Sequence, residues 1–185
     1  MSLIVKAAAL AREAHKGQFR KHGHSDRPYT THLARTAGRA ALMIGSCEAD
    51  VVAMWIHDID EDTDMTFSDI HRFLGSGDVV VLAVTLARYL TNPSKKFPEL
   101  SRAERKAMDL EHIINIPNRA KRLKMVDRID NLTEALDDNE TPTEWLMGLY
   151  VPESRLLLDA ALRGVDAELE AELDAILAKI EDKFA

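Results

Sequence analysis

The run His57-Asp58-Ile59-Asp60-Glu61-Asp62-Thr63-Asp64 concentrates side chains suited to holding a cation or moving a proton. On a helix, residues three and four apart are neighbours. His57, Asp58, Glu61 and Asp62 would then share one face, with one imidazole and three carboxylates. Like charges this close repel, so the face is either fully solvated or carries a cation. A solvated face is the commoner fate of a charge run. Two features favour the cation. The pair His57-Asp58 follows directly on the apolar Val51-Val52-Ala53-Met54-Trp55-Ile56, and the block is acidic between two basic ones. Residues 1–50, 51–78, 79–131 and 132–185 carry net charges of +4, −6, +5 and −10, within a total of −7.

Two further positions could join this pair. Asp127 shares a helical stripe with Lys124 and Asn131, which alone reads as an amphipathic helix with ion pairs. His32 lies beside an apolar stripe, where a lone histidine is most often a hydrogen-bonded boundary residue. Together, His32, His57, Asp58 and Asp127 offer two neutral imidazoles and two carboxylates. That mixed set suits an octahedral divalent ion with positions left for water, Mn²⁺ rather than a closed structural Zn²⁺.

The elements that must position these groups read as helical almost throughout. Of 185 residues, 46% are hydrophobic and 30% charged, with eight glycines and six prolines, which argues against a turn-rich β fold. Cys47 is the single cysteine, so a disulfide framework is excluded and a reducing compartment expected. No apolar run approaches the ~20 residues of a membrane span. The start has no basic region of the signal-peptide kind, which makes the cytoplasm the default. Overall acidity argues against nucleic acid as a partner, while the basic blocks could still build a pocket for a small anion.

Helices are expected over 2–16, 30–44 and 48–62. Leu33, Ala37, Ala40 and Ile44 face inward from the second, and Val52, Trp55 and Ile59 from the third. Residues 18–28 form a polar loop with Arg20, Lys21, His22, His24 and Arg27. Thr66-to-Asp69 and Ser101-to-Glu104 are capping boxes. Residues 78–90 are read as a helix despite Val79-Val80-Val81, because no second strand is available to pair with them. A long helix runs from Pro117 to about 137, with Met125, Ile129, Leu132 and Leu136 inward. Thr141-Pro142-Thr143-Glu144 reads as another start with Pro at the first helical position, and Pro152 as a kink or division. An acidic helix at 166–183 packs Leu169, Leu173, Ile176 and Ile180 against its own chain or a second copy, which leaves a homo-oligomer open. There is no internal repeat or linker. The expectation is an all-α, single-domain helical bundle spanning 1–185, with its motifs in 5–136 and the 142–185 helices packing on them.

The order His…His-Asp…Asp is that of the HD phosphohydrolases. His15-Lys16-Gly17-Gln18-Phe19-Arg20-Lys21, Pro28-Tyr29-Thr30-Thr31-His32 and His57-Asp58-Ile59-Asp60-Glu61-Asp62-Thr63 resemble the hydrolase domain of the RelA/SpoT proteins. Arg105-Lys106 and Lys124-Met125-Val126-Asp127-Arg128-Ile129-Asp130-Asn131-Leu132 continue the match. In length the chain is similar to the stand-alone small alarmone hydrolases. The resemblance implies a Mn²⁺-dependent pyrophosphohydrolase that converts ppGpp and pppGpp to GDP and GTP. It assigns His32, His57, Asp58 and Asp127 to the metal, and Glu61 and Asp62 to orienting and deprotonating the attacking water. It gives Arg20 to the base, Lys21 to phosphate and Asn131 to the nucleoside.

Lys95, Lys96, Arg102, Arg105 and Lys106 are candidate phosphate partners. Tyr150 and Arg155 are candidates for the aromatic and basic groups that hold substrate in stand-alone members. Three positions depart from the family pattern: Leu33 where Pro is usual, Asp130 where His or Tyr is common, and Thr133 where Arg is common. They keep another nucleotide in view, such as the 2′-phosphate of NADPH or a deoxynucleotide. A catalytically silent alarmone sensor ranks below the enzymes, because silent forms should lose the metal ligands or the Glu-Asp pair, and this chain has all six.

Overall fold

The computed structural model describes residues 1–20, 26–138 and 141–184. Lys21, His22 and His24 lie outside the described residues. The chain runs through α1 (Leu3–Ala14), α2 (Thr30–Leu42), α3 (Glu48–Ile56), α4 (Ile59–Asp62), α5 (Phe67–Leu74) and α6 (Asp78–Leu90). A 3₁₀ turn, Pro93–Lys96, leads to α7 (Arg102–Asn115), α8 (Asn118–Asp137), α9 (Thr143–Trp145), α10 (Val151–Leu157) and α11 (Ala167–Lys183). Among the described residues there is no strand, only one isolated antiparallel bridge between Phe19 and Pro28. The fold is all-α, and no helix among the described residues is long and apolar enough to cross a membrane.

α3 is the central element. Val52, Ala53, Met54 and Ile56 are fully buried, and the helix packs against α1, α2 and α6. α8 forms the second axis, touching α2, α6 and α11. The apolar stripe of α11 is buried against α8 of the same chain, with Leu173, Leu177 and Ile180 fully covered. At roughly 1.5–3 kcal/mol for each fully buried aliphatic side chain, this stripe anchors the C-terminal helix.

Local signals explain most boundaries. Thr66 and Ser101 accept the N3 amides of α5 and α7, and Asp69 and Glu104 accept from the cap amides in return. Gly75 closes α5 with φ +95°, a left-handed value that disfavours a side chain. Residues 78–90 are helical as expected, and Val79 and Val81 face solvent while Val80, Ala83, Val84 and Ala87 are buried.

Three expectations are corrected. Ile44 is 83% exposed, because α2 ends at Leu42 and the chain turns outward before Gly45. The expected helix over 48–62 is broken into α3 and α4 at His57-Asp58, where Asp58 adopts φ −97°, ψ −4°. The Thr141 capping box does not form. Pro142 is the cap residue of α9, and the Thr141 hydroxyl donates to Asp138. Pro152 sits in the first turn of α10, which continues without a break from a π-helical turn, Leu146–Tyr150, so the chain is neither divided nor ended there.

Candidate active site

The break between α3 and α4 aims the His57 ring. The Met54 carbonyl accepts the His57 Nδ1–H at 2.9 Å, so the proton is on Nδ1 and the Nε2 lone pair points away. His32, on α2, repeats this logic with Nδ1 2.7 Å from the Asp130 carboxylate. A carboxylate and a carbonyl only accept, so in its neutral form each ring turns an Nε2 lone pair to the same space. His57 Nε2 is buried and has no hydrogen-bond partner among the described residues.

Two carboxylates close the space. Asp58 Oδ2 lies 3.2 Å from His57 Nε2 and 3.7 Å from His32 Nε2. Asp127 Oδ1, from α8, lies 3.4 Å from His32 Nε2 and 3.8 Å from His57 Nε2. Adjacent ligands of an octahedral ion with bonds of about 2.1 Å stand roughly 3 Å apart, close to these separations. Donor atoms of His32, His57 and Asp58 all fall within 4.8 Å of one another, so these three can hold one metal ion, and Asp127 faces both imidazoles beside them.

The electrostatics point the same way. Burial opposes protonation of His57, yet the charges of Asp58 and Asp127 raise it to about 9. His32 is also raised against the cost of burial, by Asp127 and Asp130. Burial likewise opposes ionisation of Asp127, but Lys124 and the two imidazoles hold it well below the ordinary carboxylate range. The site therefore demands positive charge, which protons supply when no metal does. A divalent ion held by these residues would take their place and release them.

Two results follow for the metal-free protein. The folded state holds the His57 proton more tightly than the unfolded chain. Its contribution to stability is therefore complete below about pH 6.5 and lost as pH rises to about 9. At pH 7, calorimetry in buffers of different ionisation enthalpy is expected to record release of about one to two protons per Mn²⁺. Zero release would contradict this charge balance.

Around the cluster lie the groups that could handle water and substrate. The Tyr29 hydroxyl spans two carboxylates, 2.7 Å from Asp58 Oδ2 and 3.2 Å from Asp62 Oδ2. Asp62 also accepts Lys95 Nζ at 2.8 Å. Glu61 is fixed by the Asn92 backbone N–H at 2.8 Å, the Asn92 amide at 3.1 Å and Lys95 at 3.0 Å. Asn131 donates to Asp127 Oδ1 at 2.7 Å and accepts from Arg20 at 2.5 Å. Arg20 also donates to Glu134 at 2.6 Å and stacks over the Tyr29 ring at 5.2 Å.

A cavity of about 440 Å³ opens beside these residues. Arg20, Tyr29, Asp62 and Asn131 form one wall, and Lys95, Arg102 and Lys106 bring positive charge to another. Trp145 and Tyr150, stacked at 4.8 Å, contribute an aromatic surface.

Several candidates fall elsewhere. Lys21 lies outside the described residues. Arg105 donates to the Pro98 and Leu100 carbonyls and Lys96 is exposed, so neither lines this cavity. Arg155, a candidate for holding substrate, is bound by Asp174 and Glu181 of α11 and does not line the cavity. Glu61 touches Lys95 but is not a cavity wall. Leu33 is fully buried in the core, Asp130 is turned to His32, and Thr133 bonds the Ile129 carbonyl. None of these three departures lines the cavity. Sequence reasoning missed Tyr29, Asn92 and Glu134. Tyr29 stood in a quoted segment, directly before the first residue of α2, but its hydroxyl had no assigned task.

No family model matches the chain. The MESH1 guanosine-3′,5′-bis(diphosphate) 3′-pyrophosphohydrolase of Drosophila melanogaster is 33% identical over 165 residues, covering 86% of this chain and 84% of that protein. The chain belongs to the MESH1 family. The MESH1 protein of Xenopus tropicalis is 31% identical over 180 residues, covering 94% of this chain and 92% of its own. A solved metazoan orthologue of SpoT, described as hydrolysing ppGpp and playing a role in starvation responses, superposes with a TM-score of 0.81 at 26% identity. That match covers 100% of this chain and 98% of the other. The MESH1 likeness thus extends over α9–α11, where the motif resemblance in the sequence is weak.

Proposed function

We propose that this chain is a Mn²⁺-dependent hydrolase that removes the 3′-pyrophosphate of ppGpp or pppGpp to leave GDP or GTP. The observation that carries the reading is the convergence of two bare imidazole nitrogens and two carboxylates beside a cavity with cationic and aromatic walls. His32 Nε2, His57 Nε2, Asp58 and Asp127 would hold the ion. When bound, it supplies a Lewis acid and lowers the pKa of water at the site. The working unit is the whole chain, 1–185, as one HD domain.

The chain's own groups do the rest. Asp62 faces the cavity and shares the Tyr29 hydroxyl with Asp58, so its carboxylate is within reach to accept the proton of the attacking water. Glu61, held by Asn92 and Lys95, acts on the same water at one remove, by keeping Lys95 against Asp62. Lys95, Arg102 and Lys106 meet charge developing on the departing pyrophosphate. Arg20 flanks the base, Asn131 contacts the nucleoside, and Lys21 meets phosphate. Tyr150, stacked on Trp145, backs the nucleoside.

The three departures from the family pattern do not line the cavity, which favours the alarmone over NADPH or a deoxynucleotide. Purified protein with Mn²⁺ and a panel of ppGpp, pppGpp, NADPH and deoxynucleoside triphosphates tests the assignment by product chromatography. Conversion of ppGpp to GDP and pyrophosphate is expected. Survival of ppGpp while another nucleotide is consumed would overturn the substrate.

A further inference from the structure

Asp130 is the departure with the most unusual surroundings. It is 3% exposed and does not line the cavity of the candidate site. One oxygen accepts His32 Nδ1 at 2.7 Å. Arg35, one turn along α2 from His32, clamps the same carboxylate with Nε at 2.7 Å and Nη2 at 2.9 Å. The opposite edge of the His32 ring faces Asp58 and Asp127. We propose that Asp130, held by Arg35, is a positioning residue that fixes His32 as a metal ligand.

The proposal rests on the reading of His32 as a ligand and follows from the geometry. An imidazole has two tautomers, and only the Nδ1–H form leaves a lone pair on Nε2. A buried carboxylate can only accept at Nδ1, so it enforces that tautomer and locks the ring plane. Its negative charge also makes Nε2 a stronger donor to a cation. Arg35 prevents the carboxylate from rotating away. It reaches Glu134 at 3.1 Å as well, and Glu134 bonds Arg20 at 2.6 Å. The circuit closes through Arg20–Asn131 at 2.5 Å and Asn131–Asp127 at 2.7 Å. Two facing members of the metal cluster are thus tied through one substrate-side arginine.

The test is Mn²⁺ binding to metal-stripped protein, read from the electron paramagnetic resonance signal of free Mn²⁺. Asp130→Asn keeps the volume but offers Nδ1 either a donor or an acceptor, without charge. Its Mn²⁺ dissociation constant is expected to rise about 10–100-fold, with turnover recovering at excess Mn²⁺. The Co²⁺-loaded variant should show an altered visible spectrum.

Asp50→Asn, which weakens the pair between buried Asp50 and half-exposed Arg119 away from the site, is the control and should lower stability without changing Mn²⁺ affinity. If Asp130→Asn does not fold, Arg35→Met frees the clamp from its partly exposed side and should weaken Mn²⁺ binding about tenfold. Binding within twofold of the parent protein in the folded variant would overturn the proposal. His32→Ala separates the two readings. If it binds Mn²⁺ like the parent, the ligand assignment fails. If it loses binding while Asp130→Asn is unaffected, the assignment stands and the positioning role is wrong.

Discussion

Asp58→Asn is expected to abolish turnover, by more than about a thousandfold, and to weaken Mn²⁺ binding at least a hundredfold. The substitution is nearly isosteric and leaves Tyr29 a partner, so packing around the site survives. What it removes is the charge that faces both imidazole nitrogens, at 3.2 and 3.7 Å. Several kcal/mol of transition-state charge stabilisation depend on a properly held Lewis acid, and each 1.36 kcal/mol is a factor of ten in rate. The effect should appear in direct Mn²⁺ titration as well as in activity. Normal Mn²⁺ affinity with lost turnover would move Asp58 from the ion to the water or substrate.

Asp62→Asn should separate the steps in the opposite way. Removing the proton acceptor is expected to lower kcat by about 10²–10⁴-fold. Mn²⁺ affinity should stay within about threefold, because the Asp62 carboxylate meets that of Asp58 through the Tyr29 hydroxyl rather than directly. Glu61→Gln should have the smaller effect, since its oxygens are occupied by Asn92 and Lys95 and do not line the cavity. Steady-state kinetics with parallel Mn²⁺ titrations distinguish the two roles. Unchanged kcat in both variants would remove this pair from the mechanism.

The helices were legible wherever a local rule acts alone. The capping residues Thr66 and Ser101 predict their boundaries because a cap is satisfied within four residues. The valine-rich 78–90 segment resolves as helix, with no partner strand among the described residues. Reading failed where a helix ends before its apolar pattern does. At His57-Asp58 the helix breaks, and the imidazole there bonds the Met54 carbonyl. At Ile44 the periodicity continues on paper after the chain has turned outward.

The four side chains of the cluster could be suspected from residue type and motif order. Asp130, Arg35, Tyr29 and Asn92 could not. Their partners are 95–98, 29–33 or 31 residues away, and a hydrogen bond across helices has no spacing signature. The family departure at Asp130 drew notice in the sequence, but only the fold turns it toward His32.

The most direct test of the account is a crystal of the protein grown with Mn²⁺, with the ion located by its anomalous scattering. The account predicts one ion ligated by His32 Nε2, His57 Nε2, Asp58 and Asp127, with the remaining positions open toward the cavity. Mn²⁺ bound elsewhere, or an empty cluster with its imidazoles turned apart at saturating Mn²⁺, would contradict it.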